Sequence, residues 1–120
     1  MMTSQIADRL VELCRKGEFQ AAQTELFSPN ALSIEPDGAP LVVAEGLAAI
    51  QDKGRAFMEG IEQVHNIDVS EPIVAGNYFS VSMTLDHTMK GHGRMTMEEI
   101  CVYRVEQGKI VCEQFFYAVG

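Results

Sequence analysis

Four titratable side chains stand at positions suited to proton transfer: Glu35, His87, Glu99 and Glu113. Carboxyl and imidazole groups placed against apolar surroundings are the usual donors and acceptors of protons in catalysis. The chain carries no phosphate-binding loop, no metal-ligand spacing and no nucleophile-plus-base signature. We therefore expect acid–base chemistry that needs neither a metal nor a cofactor.

Glu35 follows a short alternating segment that begins at Ala31, and it precedes the turn Pro36-Asp37-Gly38. An apolar roof over this strand end would remove water from the carboxylate and suit it to proton abstraction beside a carbonyl group. The alternative is a carboxylate that only caps the turn.

Glu99 and Glu113 belong to two long predicted strands, residues 94–105 and 109–119, joined by a hairpin at 106–108. Strand alternation directs both side chains to the same face of the sheet as the helices. Carboxyl groups at close range move each other's pKa apart, so that one can stay protonated as a donor. Alternatively, each pairs with a basic residue or faces water.

His87 lies on the apolar face of a predicted strand over 78–88, where it could join the acids or could be a structural histidine. Two tyrosines, Tyr103 and Tyr117, could donate hydrogen bonds to a ligand or could be core residues with their hydroxyls satisfied locally. The full set of candidate ligand-binding residues is Phe57, Met83, Cys101, Tyr103, Glu113, Phe115 and Tyr117.

The elements that must position these residues are helices first and strands afterwards. Apolar residues at helical spacing predict a helix over 3–16, a shorter one from Phe19 to Leu26, and a third after Gly46 that ends near 60–62. Gly54 interrupts the third helix and leaves room for a close neighbour. Further strands are predicted over 31–35, 41–43 and 64–74, where Pro72 indicates an edge or a bulge. The pattern predicts one α+β domain over residues 1–120, with helices on one face of a four-stranded antiparallel meander.

Composition limits the partners. The net charge of −8 argues against nucleic acid and against an anionic membrane surface, although acidity by itself need mean no more than solubility. Three cysteines, an odd number without paired spacing, predict reduced buried thiols. With no signal peptide and no apolar run long enough for a membrane span, we expect a cytoplasmic protein.

The second face of the predicted sheet also carries apolar residues, namely Ile100, Val102, Ile110 and Phe116. Such a face needs cover, and a second copy of the chain is the simplest. We therefore predict a homodimer.

Three segments resemble the SnoaL-like proteins of the nuclear-transport-factor-2-like superfamily. They are the opening LVELCRKGEFQAAQTELFSPNALSIEPDG, the third-helix segment GLAAIQDKGRAFM, and the tail GKIVCEQFFY after MEEICVYRV. The resemblance implies a cone-shaped, cystatin-like fold in which a curved antiparallel sheet and three N-terminal helices enclose a pocket. Superfamily members include ketosteroid isomerase, polyketide cyclases and scytalone dehydratase, as well as proteins that only bind a ligand.

The same resemblance implies roles for particular residues. Glu35 falls where the isomerase has its general base, whereas Leu10 and Cys101 fall where it has its tyrosine and aspartic acid donors. The pocket histidines of scytalone dehydratase suggest His87 as a partner for Glu35. We therefore expect isomerase, cyclase or dehydratase chemistry on a small hydrophobic carbonyl compound. The alternatives are a non-catalytic module that binds such a ligand, and an accessory domain whose dimer surface matters more than its pocket.

Overall fold

Three helices lie in the first half of the chain, in a computed structural model that describes residues 1–119. Helix α1 spans Thr3–Arg15, α2 spans Phe19–Leu26 and α3 spans Leu47–Glu59. The buried residues of α1 include Ile6, Leu10 and Cys14, which share one face at a spacing of four residues. Gly17 then ends the helix with a positive φ of 74°, which glycine adopts without strain. The helices predicted from apolar periodicity are thus confirmed.

The strands form one mixed sheet. They are β1 (Phe27–Ile34), β2 (Val43–Glu45), β3 (Ile61–Val69), β4 (Ile73–Ala75), β5 (Tyr78–Met89), β6 (Gly93–Glu106) and β7 (Lys109–Phe116). The order across the sheet is β2-β1-β7-β6-β5-β3, and β4 extends the pairing of β5. The predicted antiparallel meander is confirmed along β3, β5, β6 and β7. At its end β1 adds in parallel to β7, so the whole sheet is mixed.

Several strand boundaries differ from those expected. Strand β2 lies two residues later than the predicted 41–43, β3 begins at Ile61, where the third helix is predicted to end, and β7 ends at Phe116 rather than at residue 119. Strand β1 already begins at Phe27, so Pro29 lies inside it; the pairing of β1 with β7 is irregular between Phe27 and Leu32, where a proline without an amide proton is tolerated. The predicted strand over 64–74 is two strands, because the ladder stops before Pro72 and resumes at Ile73.

The core lies between the helices and the inner face of the sheet. Phe79 and Tyr103 stack at its centre with ring centroids 4.7 Å apart. Alternation along β5 and β6 directs residues inward as predicted, including Phe79, Cys101 and Tyr103. Within the described chain, no helix is both long enough and apolar enough to cross a membrane.

The placement of Ile110 on the outer face is wrong. In the β6–β7 ladder Arg104 pairs with Cys112, whereas Val105 pairs with Ile110, so Val111 is an extra residue in a bulge. The bulge turns Ile110 back into the core, where it is 0% exposed. The alternation is regular again from Cys112 onward, which directs Glu113 inward.

The outer face still carries an apolar patch, which we define as Ile73, Tyr78, Ile100 and Phe116. Ile100 and Phe116 are paired neighbours in the ladder and are 53% and 49% exposed. Ile73 is 73% exposed in the short strand β4. A patch of this kind on a monomer is a common mark of an interface, so the homodimer stays a prediction.

We expect Ile100→Lys to convert a dimer of about twice 13.2 kDa into a monomer, because an ammonium group at the patch centre would be desolvated in the interface. Light scattering at micromolar concentration measures the change. The matched control is Leu41→Lys, which alters an equally exposed apolar residue away from the sheet face. A wild-type chain that scatters as 13.2 kDa would contradict the prediction.

Candidate functional site

A cavity of about 780 Å³ lies between the three helices and the inner face of the sheet. This volume is within the range of small-molecule sites. The side chains of Phe57, Phe115 and Tyr117 stand on its wall and leave the space between them open. Other apolar wall residues come from every layer of the fold, namely Leu10, Phe19, Phe27, Ile50, Met58, Met83, Leu85, Met97 and Tyr103.

Lys53 connects helix α3 to the end of strand β1. Its Nζ donates to Ser33 Oγ at 2.6 Å and to Glu35 Oε1 at 3.1 Å. The side chains of this ion pair are only 23% and 16% exposed, so solvent screens it less than a surface pair. The contact fixes one oxygen of Glu35, whereas Glu35 Oε2 is buried without a hydrogen-bond partner among the described residues.

Glu113 is the most buried acid of the site, at 4% exposure. Parallel pairing places it opposite Ser33, one strand away from the Lys53 contact. Burial raises the pKa of Glu113 from its ordinary 4.5 to about 7, while Ser33 and Lys53 favour the charged form and the Glu35 and Glu99 carboxylates disfavour it. At neutral pH this side chain is therefore divided between its acid and its carboxylate.

Glu99 enters the same space from strand β6, where it pairs with Met83 of β5. Burial first, and the Glu35 carboxylate second, raise the pKa of Glu99 to about 7. The Cys101 thiol donates to Glu99 Oε1 at 3.6 Å and, together with Lys53, opposes that rise. The negative charges of Glu35, Glu99 and Glu113 thus repel one another and affect the pKa of Glu99 and Glu113. We call these three residues the carboxyl trio.

Both candidate tyrosines are on the cavity wall. Burial, followed by the neighbouring Glu35 carboxylate, raises the pKa of Tyr117 to about 12. Burial and the nearby Cys101 raise the pKa of Tyr103 well above its ordinary value. Each phenol therefore keeps its proton near neutral pH.

Two of the candidates lie behind the wall. His87 is 0% exposed; its Nδ1 is 3.1 Å from the carbonyl oxygen of Leu85, and its ring meets the edge of Phe57 at 6.0 Å between centroids. Phe57 therefore separates the imidazole from the open space. Cys101 is also fully buried, and its thiol contacts Glu99 of the site. The structure brings together the other candidates, which are Glu35, Phe57, Met83, Glu99, Tyr103, Glu113, Phe115 and Tyr117.

Lys53 and Ser33 were missed by the sequence interpretation. A signal for Lys53 is present, because Ile50, Lys53 and Phe57 follow at spacings of three and four and so share the inward stripe of α3. A lysine on such a stripe needs a buried partner, which is a reason to look for one. The room left by Gly54 is also explained, since a Cβ there would come within 2.9 Å of Gln20 Nε2.

The arrangement offers proton donors and acceptors around one fixed cation. Across residues 1–119, no group of three or more histidine, cysteine, aspartate or glutamate side chains could hold a metal ion. One carboxylate is paired with Lys53, and two carboxyl groups change protonation state near neutral pH. Such a set can remove a proton from a bound molecule and stabilise the charge that develops elsewhere on it.

Solved structures of known proteins share this architecture. A Mesorhizobium loti protein described as a SnoaL-like polyketide cyclase, and also as a carbohydrate phosphatase, is 32% identical, with a TM-score of 0.91 over 98% of this chain and 100% of that chain. A nuclear-transport-factor-2-like protein from Burkholderia thailandensis is 19% identical, with a TM-score of 0.83 over 98% and 92% of the two chains. A protein of ketosteroid isomerase-like fold from Catenulispora acidiphila, solved in complex with trimethylamine, is 17% identical, with a TM-score of 0.74 over 94% and 85%.

No curated protein matches the sequence. The family model described as SnoaL-like domain matches residues 1–117, which is almost the whole chain. The expected cone of helices and curved sheet agrees with this match and with the structural neighbours. The chain therefore belongs to the SnoaL-like domain family.

Proposed function

We propose that the protein is an acid–base enzyme that moves a proton on a small hydrophobic carbonyl compound, as isomerases, cyclases and dehydratases of this fold do. The observation that carries the proposal is the carboxyl trio around Lys53 on the wall of a largely apolar cavity. A fold that needed only a packed core would not bury three acids beside open space, because burial of a carboxylate is costly. The polyketide cyclase assignment of the Mesorhizobium loti structure supports the same class of chemistry.

Glu35 is the general base in this proposal. Lys53 holds its Oε1 in an ion pair, and Oε2 remains free of hydrogen bonds from the described residues. The lone pairs of Oε2 can therefore accept a proton from the carbon next to a substrate carbonyl. The proton leaves the carbon, its bonding electrons become the enolate, and the negative charge moves to the carbonyl oxygen.

Glu99 supplies the donor that this enolate needs. Its pKa of about 7 leaves much of it protonated at neutral pH, so that the acid can donate a hydrogen bond to the oxygen. The Lys53 ammonium adds a positive charge close by. Glu99 thus replaces the donors that the resemblance would put at Leu10 and Cys101.

The same enolate leads to each of the three reactions. If the enolate is conjugated with a double bond, return of the proton from Glu35 to a different carbon gives isomerisation. Attack of the enolate carbon on a second carbonyl, whose oxygen then takes the proton, gives aldol cyclisation. Departure of a β-hydroxyl group, which takes the proton and leaves as water, gives dehydration. His87 takes no step in this scheme, because Phe57 stands between its ring and the cavity.

The second candidate is a binding module that holds its ligand without converting it. The trimethylamine complex of the Catenulispora acidiphila structure favours it, since a protein of this fold was solved with a small molecule bound. A ligand that copurifies unchanged, detected by native mass spectrometry, would support this candidate.

We also place the protein in the cytoplasm, because Cys14, Cys101 and Cys112 are all free.

Replacement of the base tests the enzyme directly. We expect Glu35→Gln to slow exchange of the α-protons of small cyclic and aromatic ketones in D₂O by roughly 100-fold or more, the usual effect of losing a general base. NMR measures the exchange for each ketone in a panel. The matched control is Glu98→Gln, which changes an exposed acid on the outer face. Exchange at the wild-type rate in Glu35→Gln would refute the assignment of the base.

The pH dependence of exchange tests the donor. We expect the wild-type rate to fall above a pH of about 7, because ionised Glu99 no longer donates a hydrogen bond. In Glu99→Gln this decline should disappear, since an amide donates at every pH. In Glu113→Gln it should remain. A decline that survives in Glu99→Gln would show that another group is the donor.

Stability gives a test that needs no substrate. The pKa of Glu113 is raised on folding from 4.5 to about 7, so its favourable contribution is complete below pH 4.5 and is lost as the pH rises to about 7. Glu113→Gln removes this loss. At pH 8 its free energy of unfolding should exceed that of wild type by up to roughly 3 kcal/mol, and at pH 4.5 the two should differ little. Urea unfolding at both pH values measures the difference. Equal stability at pH 8 would argue against a charged, buried Glu113.

A further inference from the structure

The cavity wall carries more acids than bases. Four acids stand on it, Glu18 and the carboxyl trio, whereas Lys53 is the single base that the described chain contributes. The ammonium group of Lys53 is already held by Ser33 and Glu35. It can neutralise one carboxylate, and the remaining acids of the trio have no basic side chain within ion-pair distance anywhere in residues 1–119.

The wall also carries two acceptor oxygens without a hydrogen bond of normal geometry from the described residues, and the Tyr117 hydroxyl is the donor group that lies near one of them, in Glu35. Glu35 Oε2 and Gln23 Oε1 are both buried, and neither accepts a hydrogen bond from the described residues. Both residues line the cavity. A buried acceptor without a donor is unfavourable, so these two oxygens indicate a ligand that brings its own N–H or O–H groups. This observation is independent of the number of acids on the wall, and it also favours a ligand that carries donor groups.

The apolar part of the wall suits a cation as well. Lys53 Nζ lies 5.3 Å from the centre of the Phe115 ring, so a positive charge already sits against an aromatic face here. Phe57 and Tyr117 present two more aromatic side chains to the same space. Aromatic faces attract ammonium groups while their area also buries hydrocarbon.

We propose that the cavity binds an apolar organic cation, whose protonated amine lies among Glu35, Glu99 and Glu113 and whose hydrocarbon body packs against the aromatic wall. The amine supplies the N–H donors and the positive charge that the chain itself lacks at this place. An apolar anion of the same size meets the carboxyl trio with only one cation to offset it. The inference concerns the same cavity as the proposed function, but it does not depend on any reaction there.

Binding of such a cation is coupled to protons. Burial raises the pKa of Cys14 and of Tyr117 to about 12, and it raises those of Cys101 and Tyr103 as well, so these neighbours stay neutral. The groups that change charge near pH 7 are therefore Glu99 and Glu113, beside the Lys53–Glu35 pair. A cation stabilises their ionised forms, so it binds more tightly above pH 7 and releases protons when it binds below that pH.

Three probes with one apolar body separate the effect of charge from that of shape: cyclohexylmethylamine, cyclohexylmethanol and cyclohexanecarboxylate. The amine stays protonated throughout, as a lysine side chain does. Calorimetric titration at pH 8.5 should give the amine an affinity at least about 10-fold above that of the alcohol, and the carboxylate the weakest. At pH 5.5 the advantage of the amine should shrink, whereas the affinity of the alcohol should not change. Titration at pH 6.5 in two buffers of different ionisation enthalpy should show proton release with the amine alone.

The variants identify the groups responsible. Glu99→Gln and Glu113→Gln should each lower the affinity for the amine at pH 8.5 and leave that for the alcohol, while Glu98→Gln on the outer face should behave as wild type. The inference is overturned if the alcohol binds as tightly as the amine at pH 8.5, or if the amine does not bind at millimolar concentration. After either result, α-proton exchange of neutral ketones still tests the proposed reaction independently. Conversely, an amine preference without any exchange would remove the proposed reaction and keep the cation site.

Discussion

Parallel pairing of β1 with β7 is the constraint on which the site depends. The two strands lie far apart in the chain, and their register places Ser33 directly opposite Glu113. Glu35 then follows at the end of β1, beside the wall residues at the end of β7. Because side chains alternate along a strand, a slip of one residue would turn Glu113 to the outer face and remove it from the cavity.

Helix α3 completes the arrangement from the other side. Its inward stripe carries Lys53 between Ile50 and Phe57, and the ammonium group reaches both Ser33 and Glu35. One lysine therefore ties the helical layer to β1, the strand that lies between the edge strand β2 and β7. The ion pair satisfies one carboxylate only, and this imbalance determines the chemistry of the cavity.

Burial of the carboxyl trio lowers the stability of the folded protein, and we attribute this cost to the chemistry of the site. Glu113 is almost completely buried, and the pKa values of Glu99 and Glu113 are raised because the loss of water from their charged forms outweighs the attraction of Lys53. Apolar side chains of similar size would stabilise the same space. Acids that the fold keeps at such a cost are characteristic of sites. Their two protonation states suit two kinds of molecule, since the acid donates to a carbonyl oxygen and the carboxylate attracts an ammonium group.

Local pattern was enough for much of this protein. Periodicity alone predicts the helices, the alternation of β5 and β6, and the inward directions of Glu99 and Tyr103, because each depends on neighbours a few residues away. The resemblance of the strand end before Pro36 to the ketosteroid isomerase motif directs attention to Glu35. The order of helices before strands further indicates the α+β class.

Tertiary structure decided the rest. The bulge at Val111 turns the side chain of Ile110 from the outer to the inner face of the sheet. Strict alternation cannot reveal the bulge, because it is defined by the pairing of β7 with the distant strand β6. Pro29 is tolerated inside β1 because the irregular ladder to β7 does not require a hydrogen bond from its amide nitrogen. Phe57 shields His87 from the cavity. The spacing of Lys53 places it on the inward stripe of α3, but only the position of α3 over the end of β1 shows that its partners are Ser33 and Glu35.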